Sequence, residues 1–426
     1  MKCEMVSINL PTKKKQSKFS TLSLLLPAAI LMSTFYFQKK TKTSKQHASL
    51  LSSEINTDSL NKFALDLFSE LALEEHDVVL SPASIATALS MVQAGTTPES
   101  KAHVEFVSTL GKQPLKTLVR DSQDTNVEFV MANSAWLKQT ILPQYSKMVK
   151  DHYQATVAPL PESVDPINSW VEKSTHGKIP SIINQIQPNT LAILINAVYF
   201  KASWKKSFDP QQTRPDQPFY GSRGRQYGEG QIVTKVNMMQ IRKSKFPYAE
   251  YPLKGKTKVQ VVKLPYGEKD EFNAVVMLPS EDGTIDQIIS ELTPHLWNSW
   301  NKGLMLDDIG LSMPRFKLEY GVKSLKSALN KMGLRAVFES QSDDPQLLNM
   351  TPEKDAYLDD VLHKATIECS EEGTTATAAT AMIVMKRSLD LYPKVHLNRP
   401  FLFSIVQNDQ ILFMARVDNP VGITES

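Results

Sequence analysis

Lys386, Arg387 and Ser388 form a basic pair followed by a small hydroxyl residue. A trypsin-type protease reads such a site with a carboxylate at the base of its pocket, which accepts charge-assisted hydrogen bonds from a guanidinium. The chemistry on offer is that of a substrate, a peptide bond cut after Arg387 to leave Ser388 as a new N-terminus. What precedes the site is unusual for a substrate loop. Glu371, Glu372 and Gly373 open the stretch EEGTTATAATAMIVMKRS, and residues 374–385 carry no charge and no proline. An exposed loop is ordinarily polar and broken by turn residues. Thr, Ala, Ile, Val and Met instead suit a strand buried on both faces. The segment reads as one with two destinations, bait before cleavage and a strand after it.

Alternate residues of a strand share a face. Thr374, Ala376, Ala378 and Thr380 would point inward, and Thr375, Thr377, Ala379 and Ala381 outward. Small side chains on both sets let such a strand slide between two others without burying charge or overpacking. The rest of the chain offers no rival chemistry. It has no G-x-S-x-G elbow, no H-E-x-x-H and no P-loop, and its eight histidines and two cysteines show no metal spacing. The chain reads as a non-enzyme with no cofactor and no metal.

The Glu-Glu-Gly opening and the Arg-Ser pair closely resemble the reactive-centre loop of the serpins, metastable inhibitors of serine proteases. The resemblance extends along the chain in ordered blocks: DVVLSPASIATALSMVQAG (77–95), INSWVEKSTHGKI (167–179), LINAVYFKASWKKSFDPQQT (194–213), VNMM (236–239), LPY (264–266), MPRFKLE (313–319), DVLHKATIE (360–368) and NRPFLFSIVQNDQILFMARVDNP (398–420). It implies an α+β fold with three β-sheets, about eight or nine helices and an exposed loop over about 371–392. The family's spacing from hinge glycine to scissile bond is fourteen residues, which from Gly373 lands on Arg387. Lys386, Met385 and Val384 would fill the subsites before it, and residues 371–379 the hinge. The resemblance also implies a breach at the top of the sheet, with Trp204 and Arg315 near Glu371, and a polar shutter of Ser81, Ser84, Asn196 and His363. An Arg315–Glu371 ion pair would anchor the hinge.

The function so implied is suicide inhibition, in which a trypsin-like serine protease is trapped as an acyl-enzyme at Arg387–Ser388. Lys386 also admits a dibasic-specific proprotein convertase, although Val384 argues against the furin subtype. The alternative is a non-inhibitory serpin serving as carrier, chaperone or storage protein. Between Gly95 and Asn133 the chain is about a dozen residues shorter than the family pattern, and Thr97-Pro98-Glu99 replaces the usual glycine-asparagine. Both departures argue against heparin-type activation through the helix expected there.

Several elements are legible from periodicity alone. Leu60, Phe63, Ala64, Leu67, Phe68 and Leu71 mark a helix, and Ser81-Pro82 opens a second over 84–94. Residues 191–200 read as a central strand in which Asn196 needs a buried partner. Strands follow at 259–264 and 273–278, and 401–406 pairs with 411–417 as a hairpin turning at Asn408-Asp409. No linker or repeat interrupts 48–426, which reads as one domain and a monomer.

Nine lysines and one acid in residues 1–47 account for more than the whole formal charge of +3, leaving the body acidic. The body therefore does not read as a nucleic-acid binder. Short basic clusters remain at Lys201/Lys205/Lys206 and at Arg242/Lys243/Lys245, each read as a solvated face. Lysines flank an apolar run at 19–37, which reads as a secretory signal, or second as a single-pass anchor near the ~20 residues needed to span a bilayer. Secretion is thus expected. Cys3 and Cys369 make no disulfide framework. Asn349-Met350-Thr351 is the one glycosylation sequon, and Pro352 follows it.

Overall fold

In the computed structural model of the chain, residues 57–111, 124–188, 190–221, 232–340, 343–373 and 392–420 are described. The first helix, α1 (Thr57–Ala72), buries Leu60, Phe63, Ala64, Leu67 and Phe68 on one side, as the 3.6-residue period requires. After the short β1 (Val79–Leu80), α2 (Pro82–Gly95) starts at Ser81, whose hydroxyl accepts from the Ser84 amide while Pro82 fills the first turn. This helix is buried almost all round, so it lies inside the molecule.

The chain continues through α3 (Lys101–Leu110), β2 (Val127–Leu137), α4 (Pro143–Tyr153), β3 (Thr156–Pro159), α5 (Asp165–Ser174) and β4 (Ala192–Ala202). Then come β5 (Arg214–Tyr220), the long β6 (Ile232–Pro252), β7 (Lys258–Pro265), β8 (Phe272–Pro279), α6 (Ile285–Glu291) and α7 (Pro294–Lys302). The order closes with β9 (Met305–Pro314), β10 (Phe316–Ser324), α8 (Lys326–Lys331), β11 (Asp360–Cys369), β12 (Lys394–His396), β13 (Phe401–Gln407) and β14 (Gln410–Val417). The described residues thus hold eight α-helices, within the expected number.

Hydrogen bonding joins the strands of the described residues into two connected networks. One runs β1-β14-β13-β8-β7-β6-β9-β12 with β5 on the side of β6. Its unity comes from β6, whose 21 residues pair first with β5, then with β9 and finally with β7. The strands on either side of β6 are therefore joined into one network through a single strand. The β13–β14 hairpin turns at Asn408 and Asp409 with φ of 47° and 68°, the left-handed pair that a two-residue turn needs.

The second sheet has the order β10-β11-β4-β2-β3. Most neighbours in it are antiparallel, but β11 and β4 run parallel over seven register pairs, from Asp360↔Ile193 to Thr366↔Tyr199. A strand placed between them would run antiparallel to both. Between the two sheets Phe200 makes aromatic contacts with Phe129, Phe413, Tyr266 and Phe272. Helix α2 lies against β2, β4 and β14.

Candidate functional site

At the end of β11 the chain reverses at once. Ser370 and Gly373 exchange backbone hydrogen bonds, Ser370 N to Gly373 O at 2.8 Å and Gly373 N to Ser370 O at 3.2 Å. Gly373 has φ of 129° and forms a second antiparallel bridge to Ser203, just past the end of β4. The Trp204 amide donates to Glu372 O and the Phe208 amide to Glu371 O, each at 2.8 Å. The returning chain is therefore seated between the prolongations of β11 and β4. Only glycine fits there: a Cβ on residue 373 would fall 2.2 Å from Ala202 O and 2.6 Å from Trp204 N, both backbone atoms.

Below this turn the Glu371 carboxylate is buried. Its Oε1 accepts from Arg315 Nη2 at 2.8 Å, from Arg315 Nε at 3.3 Å and from the Thr213 hydroxyl at 2.7 Å. The ion pair is well shielded, with side-chain exposures of 18% for Arg315 and 6% for Glu371. It is not the exposed kind that contributes little. Burial pushes the Glu371 carboxyl up, but the Arg315 and Thr213 hydrogen bonds outweigh it and hold it below its ordinary value. Trp204 closes the turn, donating its indole Nε1–H to Ser370 O at 3.0 Å and stacking on Tyr266 at 4.2 Å between centroids. The adjacent Cys369 thiol is pushed well up by burial, and further by Glu371 and Glu368. Thr213 carried no local signal in the sequence, since β5 folds back to bring it here.

A row of polar side chains crosses the second sheet beneath α2. Asn133 on β2, Asn196 on β4 and His363 on β11 stand in register with one another. The Asn196 Nδ2–H₂ group donates to Asn133 Oδ1 at 2.5 Å and to the Ser84 hydroxyl. Asn196 Oδ1 lies 2.6 Å from His363 Nδ1, and His363 Nε2 accepts from the Ser81 amide at 3.2 Å. The Ser81 hydroxyl donates to Leu412 O. These contacts fix the tautomer: Nδ1 carries the proton and Nε2 accepts. No room is left for a second proton, and burial pushes the imidazole pKa down to about 3. Ser81, Ser84, Asn196 and His363 are thus one network. Asn133, missed in the sequence because a lone Asn in an apolar strand says nothing until its register is known, completes it.

Comparison with known proteins settles what frame this is. The sequence profile of the family described as "Serpin (serine protease inhibitor)" matches residues 58–420. This chain belongs to the serpin family. It is 32% identical to a leukocyte elastase inhibitor of Xenopus tropicalis, over 84% of this chain and 97% of that one. It is 31% identical to serpin B3 of Homo sapiens, over 86% and 99%. Among solved structures it is similar to the thermophilic serpin tengpin in its native state, with a TM-score of 0.75 and 25% identity over 86% of this chain and 95% of that one.

These serpins overturn the expectation of secretion. They are matched over 97% and 99% of their own length by the body of this chain, which leaves them too little outside the match for a leader like residues 1–47. Among the described residues no helix is long and apolar enough to cross a membrane. The apolar run at 19–37 lies outside the described residues. So do Thr374, Thr375, Ala376, Thr377, Ala378, Ala379, Val384, Met385, Lys386, Arg387 and Ser388. The sequon is engaged internally: Asn349 Nδ2 donates to Thr96 O at 2.8 Å, and Thr351 is buried.

Proposed function

We propose that this serpin is a suicide-substrate inhibitor of trypsin-like serine proteases, consumed by cleavage between Arg387 and Ser388. The observation that carries the reading is the seat of Gly373, bridged antiparallel both to Ser370 beyond β11 and to Ser203 beyond β4. The first rung of an additional strand is in place at the mouth of a parallel pair that can receive one. Residues 374–386 continue that strand once their far end is free. Each strand hydrogen bond contributes about 0.5–1.5 kcal/mol net, and small side chains cost little to bury.

The sequence of events follows from general acyl-transfer chemistry. The protease serine attacks the Arg387 carbonyl carbon, the bond to the Ser388 nitrogen breaks, and that nitrogen leaves as a protonated amine. The acyl-enzyme remains joined to Arg387 while residues behind it enter the slot. The enzyme is carried along, its oxyanion hole is distorted, and water no longer releases it. Arg387 sets specificity, and Lys386 extends it to proteases that read paired basic residues. Glu371, Arg315 and Trp204 hold the breach closed until then. The row through Asn196 and His363 holds the seam below, because a strand entering between β11 and β4 must part those two side chains.

Incubation with trypsin tests the reading. The expected result is a denaturant-resistant covalent band, a released fragment beginning at Ser388, and loss of both in Arg387→Ala. Clean cleavage at Arg387 with full recovery of trypsin activity would refute inhibition.

A further inference from the structure

The basic cluster Arg242/Lys243/Lys245 is exposed where β6 pairs with β9. A bulge between Ile241 and Ser244 in the β6–β9 pairing brings out Arg242 and Lys243 in succession, and both are exposed. Lys245 stands opposite Asp308, Gly310 lies two residues further along β9, and Lys394 of β12 stands opposite Gly310. By strand alternation Lys245, Asp308, Gly310 and Lys394 share one face. A Cβ on Gly310 would meet Tyr392 at 3.1 Å and Lys394 at 3.6 Å, so Tyr392 lies on that face too. Lys243 joins it, 3.2 Å from Asp308 with its ammonium 5.6 Å from the Tyr392 ring centroid. Asp307 falls on the opposite pleat with its partner Phe246. Among the described residues the face carries Lys243, Lys245 and Lys394 around Asp308.

We propose that this face of β6, β9 and β12 is a secondary docking surface for the target protease, fitted to one whose surface beside the active site is acidic. The proposal rests on the inhibitory reading and on a length that needs no knowledge of how the loop runs. Arg387 and Tyr392 are five residues apart, a span of at most about 18 Å when fully extended. A protease domain of about 230 residues has a radius of gyration near 17 Å and is wider than that span. An enzyme engaged at Arg387 therefore comes to rest against the ground around Tyr392. Lysines held there act on the encounter itself, through association rate and salt dependence, more than on the chemistry after it.

Anionic and cationic trypsin, which share the preference for arginine and differ in surface charge, make suitable probes. Rates of covalent-complex formation would be measured with both at about 50 and 300 mM salt, spanning weak and strong screening. For the native protein we expect a preference for anionic trypsin that fades in the higher salt. In K243Q/K245Q/K394Q that preference should fall by about tenfold, with the yield of complex unchanged. The milder pair K245Q/K394Q keeps the Lys243–Asp308 contact and should give part of the loss. If complex forms but the ratio of the two rates is the same in native protein and variants, the docking surface is refuted and the inhibitory reading stands. If neither trypsin is trapped, both fall.

Discussion

Replacing His363 by alanine tests whether the polar row is a clasp that belongs to the unopened sheet. In the native protein the imidazole satisfies the Ser81 amide and the Asn196 side-chain oxygen, both inside a fully buried network. His363→Ala orphans both groups and leaves a cavity. At about 1–3 kcal/mol for each unsatisfied buried group, a loss of about 4 kcal/mol is reasonable. An unfolding entropy of about 2.1 cal/mol/K per residue over roughly 370 residues turns this into a fall of about 5 °C in Tm. The cleaved protein should respond differently. A strand seated between β11 and β4 adds about 4.8 Å between them, so the 2.6 Å contact from His363 to Asn196 cannot survive there. The substitution then removes only the Ser81 contact and some packing, about half the native cost. Calorimetry of intact and trypsin-cleaved forms, each with and without the substitution, gives the four numbers required. An equal or larger loss in the cleaved form would refute the reasoning, because the row would then not be divided by insertion.

Acid should weaken the native fold through the same residue. His363 holds its neutral form down to about pH 3, whereas the unfolded side chain takes up a proton near 6.5. The stabilisation is complete above about 6.5 and is lost as pH falls towards 3, at about 1.4 kcal/mol per pH unit, so urea midpoints of native protein and H363A should converge over that interval. Glu371→Lys places a second cation against Arg315 in a site only 18% exposed on the arginine side, and should release the hinge. Size exclusion after mild heating should show self-association, and a persistent monomer would count against the anchor. Gly373→Val cannot be seated beside Ala202 O and should cost at least about 1–3 kcal/mol of backbone strain. Amide exchange at Trp204 and Phe208, whose N–H groups bond the turn, should accelerate, and unchanged protection there would argue against the docked hinge.

What the sequence made legible followed from short-range rules. The period of α1, the presence of α2 after Ser81-Pro82, the apolar run of β4 and the Asn408-Asp409 turn were all readable from neighbours. The length of β6 was not, because the bulge after Ile241 and Pro247 both interrupt its alternation, and only pairing with three different strands keeps it extended. The same limit governs the site. Glu371 and Arg315 could be matched by resemblance, while Thr213 and Asn133 gained meaning from contacts 158 and 63 residues away. The departure after α2 was visible as a length difference, and α3 occupies part of that interval.

The stack of Trp204 on Tyr266 has an experimental use. An indole packed face to face at 4.2 Å, with its N–H tied to the chain just ahead of the hinge, emits according to how that corner is arranged. On the proposed mechanism its fluorescence should change as the cleaved loop enters the sheet, and rapid mixing would time that change without any attached dye. Substituting the other four tryptophans with phenylalanine would isolate the signal.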